Sequence, residues 1–213
     1  MTTVYFVRHG ESEANLITQF AGSLDAPLTQ RGREQAVLTA KCFSNIPLSA
    51  VYASDLSRAY DTGLAIADNL QIPIFGMCEL REIYAGHWEG KTYAQLECDY
   101  PDSYNVWKQQ IGLAECDGGE SVRQLQQRVQ RCVEALVQKH PDEFICIATH
   151  ATPIRVMECL WNNTPLEDMH TIPWVSNASV TVAQYREDGS VRVLLRDFNE
   201  HLGELATKLA HNV

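Results

Sequence analysis

The sequence has no long apolar run, no closely spaced cysteine pair and no excess of positive charge. Its first apolar run, Val4–Val7, is short and ends at Arg8. A membrane-spanning helix needs roughly 20 apolar residues, and a signal peptide also needs a longer apolar segment. The sequence therefore predicts a protein without membrane contact, and we expect it to be cytoplasmic.

The charge balance argues against a nucleic-acid partner. The chain has 27 acidic and 17 basic residues, for a formal net charge of −10. Nucleic-acid backbones require a basic surface, which this composition does not favour. Any site for a phosphate group must therefore be locally basic within an acidic protein.

The spacing of cysteines and histidines favours neither a metal ion nor a cofactor. No cysteine pair has the Cys-x-x-Cys spacing of zinc or redox sites, and no histidines have the H-E-x-x-H spacing. We therefore expect free thiols in a reducing cytosol. The seven cysteines are Cys42, Cys78, Cys98, Cys116, Cys132, Cys146 and Cys159.

Strand and helix patterns alternate along much of the chain. Short β-branched and aromatic runs predict buried strands, and apolar residues at helical spacing predict helices between them. This alternation is typical of an α/β fold with a mostly parallel sheet, and Asp188-Gly189 predicts a closing hairpin. Strands are predicted at 4–7, 50–54, 73–77 and 143–149. Helices are predicted at about 28–45, 55–69, 121–140 and 153–161.

The irregular stretch from Leu80 to Gly119 differs from the rest of the chain. It is rich in glycine, tryptophan, tyrosine and proline, with short helices predicted near 92–99 and 101–110. Segments of this kind often cover functional sites. We predict one domain over residues 1–213, in which residues 80–119 form an insertion or flap over the site.

Five residues whose side chains are suited to catalysis or anion binding stand at or near the ends of the predicted elements. His9 and His150 each follow a strand, Arg8 precedes His9, Arg58 lies at a helix start, and Glu82 begins the irregular stretch. Each has an ordinary structural explanation when taken alone. In an open α/β sheet, however, the carboxyl ends of the strands meet where ligands bind.

Together these residues favour phosphoryl transfer. In that reaction the protein mainly positions groups and stabilises charge on the phosphate oxygens. Arg8 and Arg58 can bind those oxygens in a bidentate manner. A neutral imidazole at His9 can attack phosphorus in line and form a phosphohistidine.

The remaining candidates complete this phosphate site without a metal. His150, if protonated, adds a hydrogen-bond donor, and Asn15 and the backbone of Gly22 can contribute further donors. Glu82 is the candidate general acid that protonates the leaving alkoxide. The predicted substrate is a small phosphomonoester.

Six ordered motifs resemble those of the histidine phosphatase superfamily, also called phosphoglycerate mutase-like. An Arg-His-Gly triplet alone would be weak, whereas six blocks in the family's order are a specific signal. The blocks are VRHGES with Asn15, LTQRGREQA (28–36), SDLSRAYDT (54–62), LREIYAGHWEGKT (80–92), GGES (118–121) and ATHATPIR (148–155).

The resemblance implies a role for each candidate. His9 matches the phosphorylated histidine, and Glu82 matches the proton donor. Arg8, Arg58 and His150 match the phosphate pocket. The implied fold is a three-layer α/β/α sandwich with a mostly parallel central sheet.

One position departs from the family pattern. The family often has glycine after the second histidine, where this chain has Ala151. Glycine lets a backbone N–H approach an oxyanion closely. Ala151 can still donate its backbone N–H to phosphate if its φ angle is not positive.

The acid block favours the small phosphatases over the mutases. LREIYAGHWEG looks like the broad-specificity and α-ribazole-phosphate phosphatases, and Ala14 stands where the compared mutases have tryptophan. A cofactor-dependent phosphoglycerate mutase is the first alternative. A non-catalytic relative that only binds phosphorylated ligands is the second, and the presence of His9 and Glu82 argues against it.

Two further features leave alternatives open. Residues 86–92 resemble a phosphate-binding P-loop but are one residue short of its spacing, with no clear strand before them. The aromatic residues of 80–119 either line a leaving-group site or form the flap's own small core. They are Tyr84, Trp88, Tyr93, Tyr104 and Trp107, with His87 beside them. The oligomeric state is also open, a homodimer included.

Overall fold

A six-stranded mixed sheet forms the centre of the computed structural model, which describes residues 1–207. The strand order is β3-β2-β4-β1-β5-β6. The first four strands in that order are parallel, and β5 is antiparallel to both of its neighbours. The strands are β1 (Thr2–Arg8), β2 (Leu48–Ser54), β3 (Ile74–Met77), β4 (Phe144–Thr149), β5 (Val180–Tyr185) and β6 (Val191–Phe198).

Seven α-helices connect and cover these strands in the described part of the chain. They are α1 (Glu13–Leu16), α2 (Gln30–Cys42), α3 (Ser57–Leu70), α4 (Tyr93–Asp99), α5 (Pro101–Gln109), α6 (Val122–Lys139) and α7 (Ala151–Trp161). Short 3-10 segments lie at Cys78–Leu80, Gly86–Trp88, Ile111–Leu113, Leu166–Thr171 and Glu200–Leu205. Within residues 1–207, no helix is both long and apolar enough to cross a membrane.

The alternation of side chains along β1 shows the three layers. Val4 and Phe6 belong to the apolar cluster that contains the buried faces of α6 and α7. Val7 belongs to a second cluster, on the opposite face, with residues of α2 and α3. Successive strand residues point to opposite faces, so helices cover the sheet on both sides. The predicted α/β/α sandwich with a mostly parallel sheet is confirmed.

The helix starts follow local capping chemistry. The Thr29 side chain accepts a hydrogen bond from the Gly32 N–H at 2.9 Å, which starts α2 as predicted. α7 begins at Ala151, two residues before the predicted start at Pro153. The first-turn N–H groups of a helix have no intrahelical partner, so Pro153 fits there without losing a hydrogen bond.

Other elements also differ from the prediction. α2 ends at Cys42 rather than near residues 44–45, and the short helix α1 was not among the predicted helices. α1 has only four residues, too few to show a helical apolar pattern. It is held by a capping box in which Asn15 Oδ1 accepts from the N–H of Ser12 at 3.0 Å.

Candidate active site

The two histidines predicted at strand ends lie side by side. Arg8 is paired with Thr149 in the parallel register of β1 and β4, and His9 and His150 are the next residues. Both imidazoles therefore leave the same edge of the sheet. Their ring centroids are 5.1 Å apart. Ser54, the last residue of β2, contacts His150 from the neighbouring strand, with Oγ 2.8 Å from Nε2.

The backbone fixes the tautomer of His9. Its Nδ1 lies 2.7 Å from the carbonyl oxygen of Gly10, which can only accept, so Nδ1 donates and Nε2 keeps its lone pair. Burial, followed by the charges of Arg58 and Arg8, lowers the pKa of His9 well below 6.5. His9 is therefore a neutral imidazole at neutral pH, with an unprotonated Nε2.

His150 is fully buried behind His9, and its Nδ1 has no hydrogen-bond partner within residues 1–207. Ser54 Oγ already accepts the N–H of Leu56 at 3.3 Å, so its own proton is available for His150 Nε2. The pKa of His150 lies well below 6.5. Burial is the main cause, and the positive charge of Arg58 is the next. If Nε2 accepts the Ser54 hydroxyl proton, a neutral His150 has its own proton on Nδ1, which has no acceptor in the described residues.

Both predicted arginines are buried and held by backbone carbonyls. Arg58 donates from Nη1 to Leu24 at 2.7 Å and from Nη2 to Gly22 at 2.8 Å. Arg8 donates from Nη1 to Val175, and its Nε has no partner in the described residues. Burial lowers the pKa of Arg8 to about 10, so it remains a cation at neutral pH.

Gly22 is required at the position where it holds Arg58. Its φ of +51° lies in the left-handed region that favours glycine. A Cβ there would lie 2.8 Å from the Cβ of Ala85 and 2.8 Å from Oε1 of Glu89. Glu89 in turn accepts from the N–H of Ser23 at 2.7 Å, which fixes the adjoining loop.

Asn15 and Asn177 connect α1 to the backbone of the nucleophile candidate. Asn177 Nδ2 donates to the His9 carbonyl at 3.2 Å and to Asn15 Oδ1 at 3.3 Å. Because Asn15 Oδ1 also accepts from Ser12, the amide orientation is set and Nδ2 is directed away from these partners. Asn15 lines the cavity described below.

Glu82 is positioned by two backbone N–H groups. Oε1 accepts from Ile83 at 2.8 Å, and Oε2 accepts from Thr152, in the first turn of α7, at 3.2 Å. These two contacts fix the orientation of the Glu82 carboxyl group. Ala151 precedes Thr152, and its φ is not positive, so its N–H keeps the ordinary first-turn direction.

One cavity of about 950 Å³ lies against these groups. Its lining includes Arg8, His9, Asn15, Gly22, Arg58, Glu82 and Ala151. His150 was predicted with them, but it lies beneath His9 and does not line the cavity. The structure therefore brings the predicted residues to one place, with His150 in a supporting layer.

The aromatic residues of the irregular stretch divide into two sets. Tyr93, Tyr104 and Trp107 line the cavity, together with Phe20 from the loop before α2. Phe20 packs edge-on against Trp107 at a centroid distance of 5.0 Å. The other three candidates, Trp88, Tyr84 and His87, do not line it. Trp88 is fully buried, Tyr84 is exposed, and His87 pairs with Asp117 at 2.9 Å.

The P-loop interpretation of residues 86–92 does not fit the structure. Gly86–Trp88 is a single 3-10 turn that no strand immediately precedes. Lys91 binds Asp99 at 2.8 Å and lies over the Tyr100 ring, so its charge is directed away from the cavity. The described residues also contain no cluster of three metal-ligating His, Cys, Asp or Glu side chains.

Sequence reasoning missed part of the cavity lining. The missed residues are Arg155, Ile172, Pro173 and Trp174. Arg155 stands four residues after Ala151 in a predicted helix, so i, i+4 spacing could have placed it on the same face. Residues 162–177 carry no periodic pattern, and their place in the cavity had no sequence signal.

The fold and the cavity at the carboxyl edge of its sheet define an α/β enzyme. A model of the histidine phosphatase superfamily (branch 1) matches residues 4–197. The chain is 31% identical over 204 residues to Phosphoserine phosphatase 1 of Hydrogenobacter thermophilus, with 96% of each protein covered. It is 28% identical over 183 residues to Glucosyl-3-phosphoglycerate phosphatase of Mycobacterium tuberculosis, with 82% of each covered.

A solved structure has the same fold. Bacillus stearothermophilus YhfR superimposes with a TM-score of 0.91 at 31% identity, covering 95% of this chain and 100% of that one. The chain belongs to the histidine phosphatase superfamily. It is a phosphatase that hydrolyses phosphomonoesters, as the sequence motifs predicted, and the mutase alternative is not better supported.

Proposed function

We propose that the protein hydrolyses a small phosphorylated metabolite without a metal ion, through a phosphohistidine on His9. The observation that carries this proposal is the buried, neutral imidazole of His9. Its Nδ1 is held on the Gly10 carbonyl, and its free Nε2 belongs to a side chain that lines the cavity beside Arg8 and Arg58. An unprotonated nucleophile next to two cations suits attack on a phosphate dianion.

The first step transfers the phosphoryl group to the enzyme. The Nε2 lone pair of His9 attacks phosphorus in line, the N–P bond forms, and the ester P–O bond breaks. The leaving oxygen takes a proton from Glu82, whose carboxyl group lines the same cavity. The product alcohol then departs and leaves a phosphohistidine and a Glu82 carboxylate.

The second step returns the enzyme to its starting state. Water attacks phosphorus, the N–P bond breaks, and Glu82 takes a proton from the water. Inorganic phosphate is released, and His9 regains its lone pair. No net redox change or added reactant is needed, because water supplies both the new oxygen and the proton.

The phosphate oxygens are bound by cations and by neutral donors. Arg8 and Arg58 supply guanidinium N–H groups, and Asn15 Nδ2 and the backbone N–H groups of Gly22 and Ala151 add neutral donors. His150 supports the site indirectly, by packing against the ring of His9 at a centroid distance of 5.1 Å. These groups are organised before substrate arrives, so little reorganisation is needed in the transition state.

We also propose that residues 80–119 act as a cover within one domain. Their buried side chains Leu80, Trp88 and Leu96 join the apolar cluster that includes Val4 of β1. The segment also supplies Tyr93, Tyr104 and Trp107 to the cavity lining.

We propose a cytoplasmic location as well. The seven free cysteines support a reducing, cytoplasmic compartment.

Trapping the intermediate tests the proposed function directly. A ³²P-labelled phosphomonoester should label the wild-type protein with a phosphate that is lost in acid and retained in base. His9→Ala should abolish both the label and turnover, a loss of roughly 10³-fold or more. The matched control is His87→Ala, which removes an exposed histidine outside the cavity lining. Near-normal turnover by His9→Ala would show that another residue is the nucleophile.

Chelation tests the metal-independent part of the proposal. Hydrolysis of p-nitrophenyl phosphate should be unchanged after dialysis against EDTA, because arginines supply the positive charge. Loss of activity that Mg²⁺ restores would contradict this.

A further inference from the structure

A third arginine in the cavity has no part in the proposed phosphate site. Arg155 lies on α7 four residues after Ala151, so both residues share one face of the helix. At a rise of about 1.5 Å per residue, Arg155 lies roughly 6 Å along the axis from the helix start. It lines the cavity and is almost completely buried.

The guanidinium of Arg155 is held rigidly on one side only. Nε donates to the Ile172 carbonyl at 3.0 Å, and Nη2 donates to Ile172 at 2.7 Å and to Met169 at 3.0 Å. The ring of Trp174 lies against the guanidinium, with its centroid 3.9 Å from Cζ. Nη1 has no hydrogen-bond partner in the described residues.

Arg155 also makes no ion pair within residues 1–207, although the charges of Glu158 and Glu82 act on it from a greater distance. Burial lowers the pKa of Arg155 to about 10, so it is a cation at neutral pH. Glu158, one turn further along α7, is paired with Arg196 at 2.7 Å instead. Lys108, the other cation on this side of the cavity, is paired with Glu97. A buried arginine with one unpartnered nitrogen and no direct ion pair suits an anion supplied by a ligand.

We propose that Arg155 Nη1 binds a carboxylate on the leaving group, so that the preferred substrates are small phosphorylated carboxylic acids. This inference rests on the proposed function, because it places the phosphate at His9. His9 and Arg155 line the same cavity, so one small substrate can present its phosphate to His9 and a carboxylate to Arg155. A single free nitrogen beside Ile172 and Trp174 suits a monoanion better than a second, more strongly hydrated phosphate.

O-Phosphoserine and O-phosphoethanolamine provide a matched pair, since they differ only by the carboxylate. The wild-type enzyme should have a kcat/KM roughly 10- to 100-fold higher for phosphoserine, the range of one charge-assisted hydrogen bond. Arg155→Met should bring this ratio close to one by raising the KM for phosphoserine. Phosphoethanolamine hydrolysis should change little.

Two further variants separate binding from support of the fold. Arg155→Lys keeps the cation and should retain part of the preference. Arg196→Lys alters the other arginine that joins α7 to this segment, through Pro173, but it does not line the cavity, so the ratio should not change.

A wild-type ratio near one would overturn the proposal, even if Arg155→Met does not fold. Equal losses on both substrates in Arg155→Met and Arg155→Lys would also overturn it. A stronger preference for a sugar bisphosphate that Arg155→Met removes would assign Arg155 to a second phosphate instead. Failure of the proposed function is distinct, because it appears as the absence of a His9-dependent phosphoenzyme with either substrate.

Discussion

The two ends of the cavity are built in different ways. At the phosphate end, His9 follows the end of β1 and Arg58 lies at the start of α3. Backbone carbonyls hold both side chains in place. At the leaving-group end, the walls are aromatic side chains such as Phe20 and Trp107, which pack edge-on against each other. Arg155, which we propose to bind the leaving group, differs from these aromatic walls because it is a buried cation held by loop carbonyls.

This difference shows how one fold can keep the groups that transfer phosphate apart from the groups that recognise the leaving group. The groups at the phosphate end depend on sheet register and on single hydrogen bonds, so small displacements there affect every substrate. Aromatic packing at the other end tolerates changes of shape and contacts only the part of the substrate that varies. Substitutions at the two ends should therefore give different kinetic patterns.

The largest effect is expected from Arg58→Met at the phosphate end. The variant removes a buried cation from the site of phosphoryl transfer, and kcat/KM should fall roughly 10³-fold or more on every substrate. Steady-state kinetics on p-nitrophenyl phosphate and on alkyl phosphates measure this. Arg192→Met, which changes an exposed arginine on β6, is the control. A loss confined to one class of leaving group would contradict the comparison.

Glu82→Gln should give a loss that depends on the leaving group. Glutamine keeps the size of the side chain but cannot donate a proton to the departing oxygen. Alkyl phosphates should lose roughly 10²-fold in kcat, and p-nitrophenyl phosphate, whose leaving group needs little protonation, should lose much less. Equal losses on both substrates would show that Glu82 acts by binding rather than by proton transfer.

Trp107→Leu should affect binding more than chemistry. It removes one wall of the leaving-group end, so the KM for an aryl phosphate should rise by roughly three- to tenfold while kcat stays nearly constant. Tyr84→Leu is the matched control, since Tyr84 lies in the same stretch but does not line the cavity. A large fall in kcat would place Trp107 with the phosphate end.

The last effect concerns stability rather than catalysis and comes from the buried histidines. The pKa values of His9 and His150 in the folded protein lie below the ordinary value of 6.5. The unfolded chain therefore binds protons first as pH falls below about 6.5, and the free energy of unfolding decreases. Each such histidine contributes at most about 1.4 kcal/mol per pH unit.

Urea denaturation between pH 8 and pH 5 measures this dependence. The His9→Gln/His150→Gln variant should lose less stability across this range than the wild type, because it lacks the two groups that take up protons on unfolding. Equal pH dependence in both proteins would show that the histidines titrate normally in the folded state.

Much of the fold and of the phosphate end could be predicted because their signals are local. The β-branched run at Val4–Val7 predicts a strand, and parallel strands bring their carboxyl ends to one edge. His9 and His150 were therefore expected near each other, and they lie 5.1 Å apart. Helix ends were less well predicted. Pro153 shows why: the first turn of a helix tolerates proline at any of its positions, so a proline does not mark the first helical residue.

At the leaving-group end, the sequence left the role of the aromatic residues open between two alternatives, and it did not predict Arg155, because these residues meet only through tertiary packing. Arg155 has a helical position in the sequence, but no local pattern shows that its Nη1 is left without a partner. That outcome depends on the carbonyls of Met169 and Ile172 and on the ring of Trp174. These residues lie in a segment without periodicity, so their contacts are set by how that segment folds back on α7.

The sequence by itself determined the order of strands and helices, the family and the residues that stand at the strand ends. These follow from short-range preferences and from the period of two along each strand. Only the tertiary structure decided that His150 lies beneath His9 rather than in the cavity wall, that Trp88 is buried while Trp107 lines the cavity, and that Arg155 faces it. The reason is that burial and hydrogen-bond partners depend on residues distant in the chain, which no local pattern specifies.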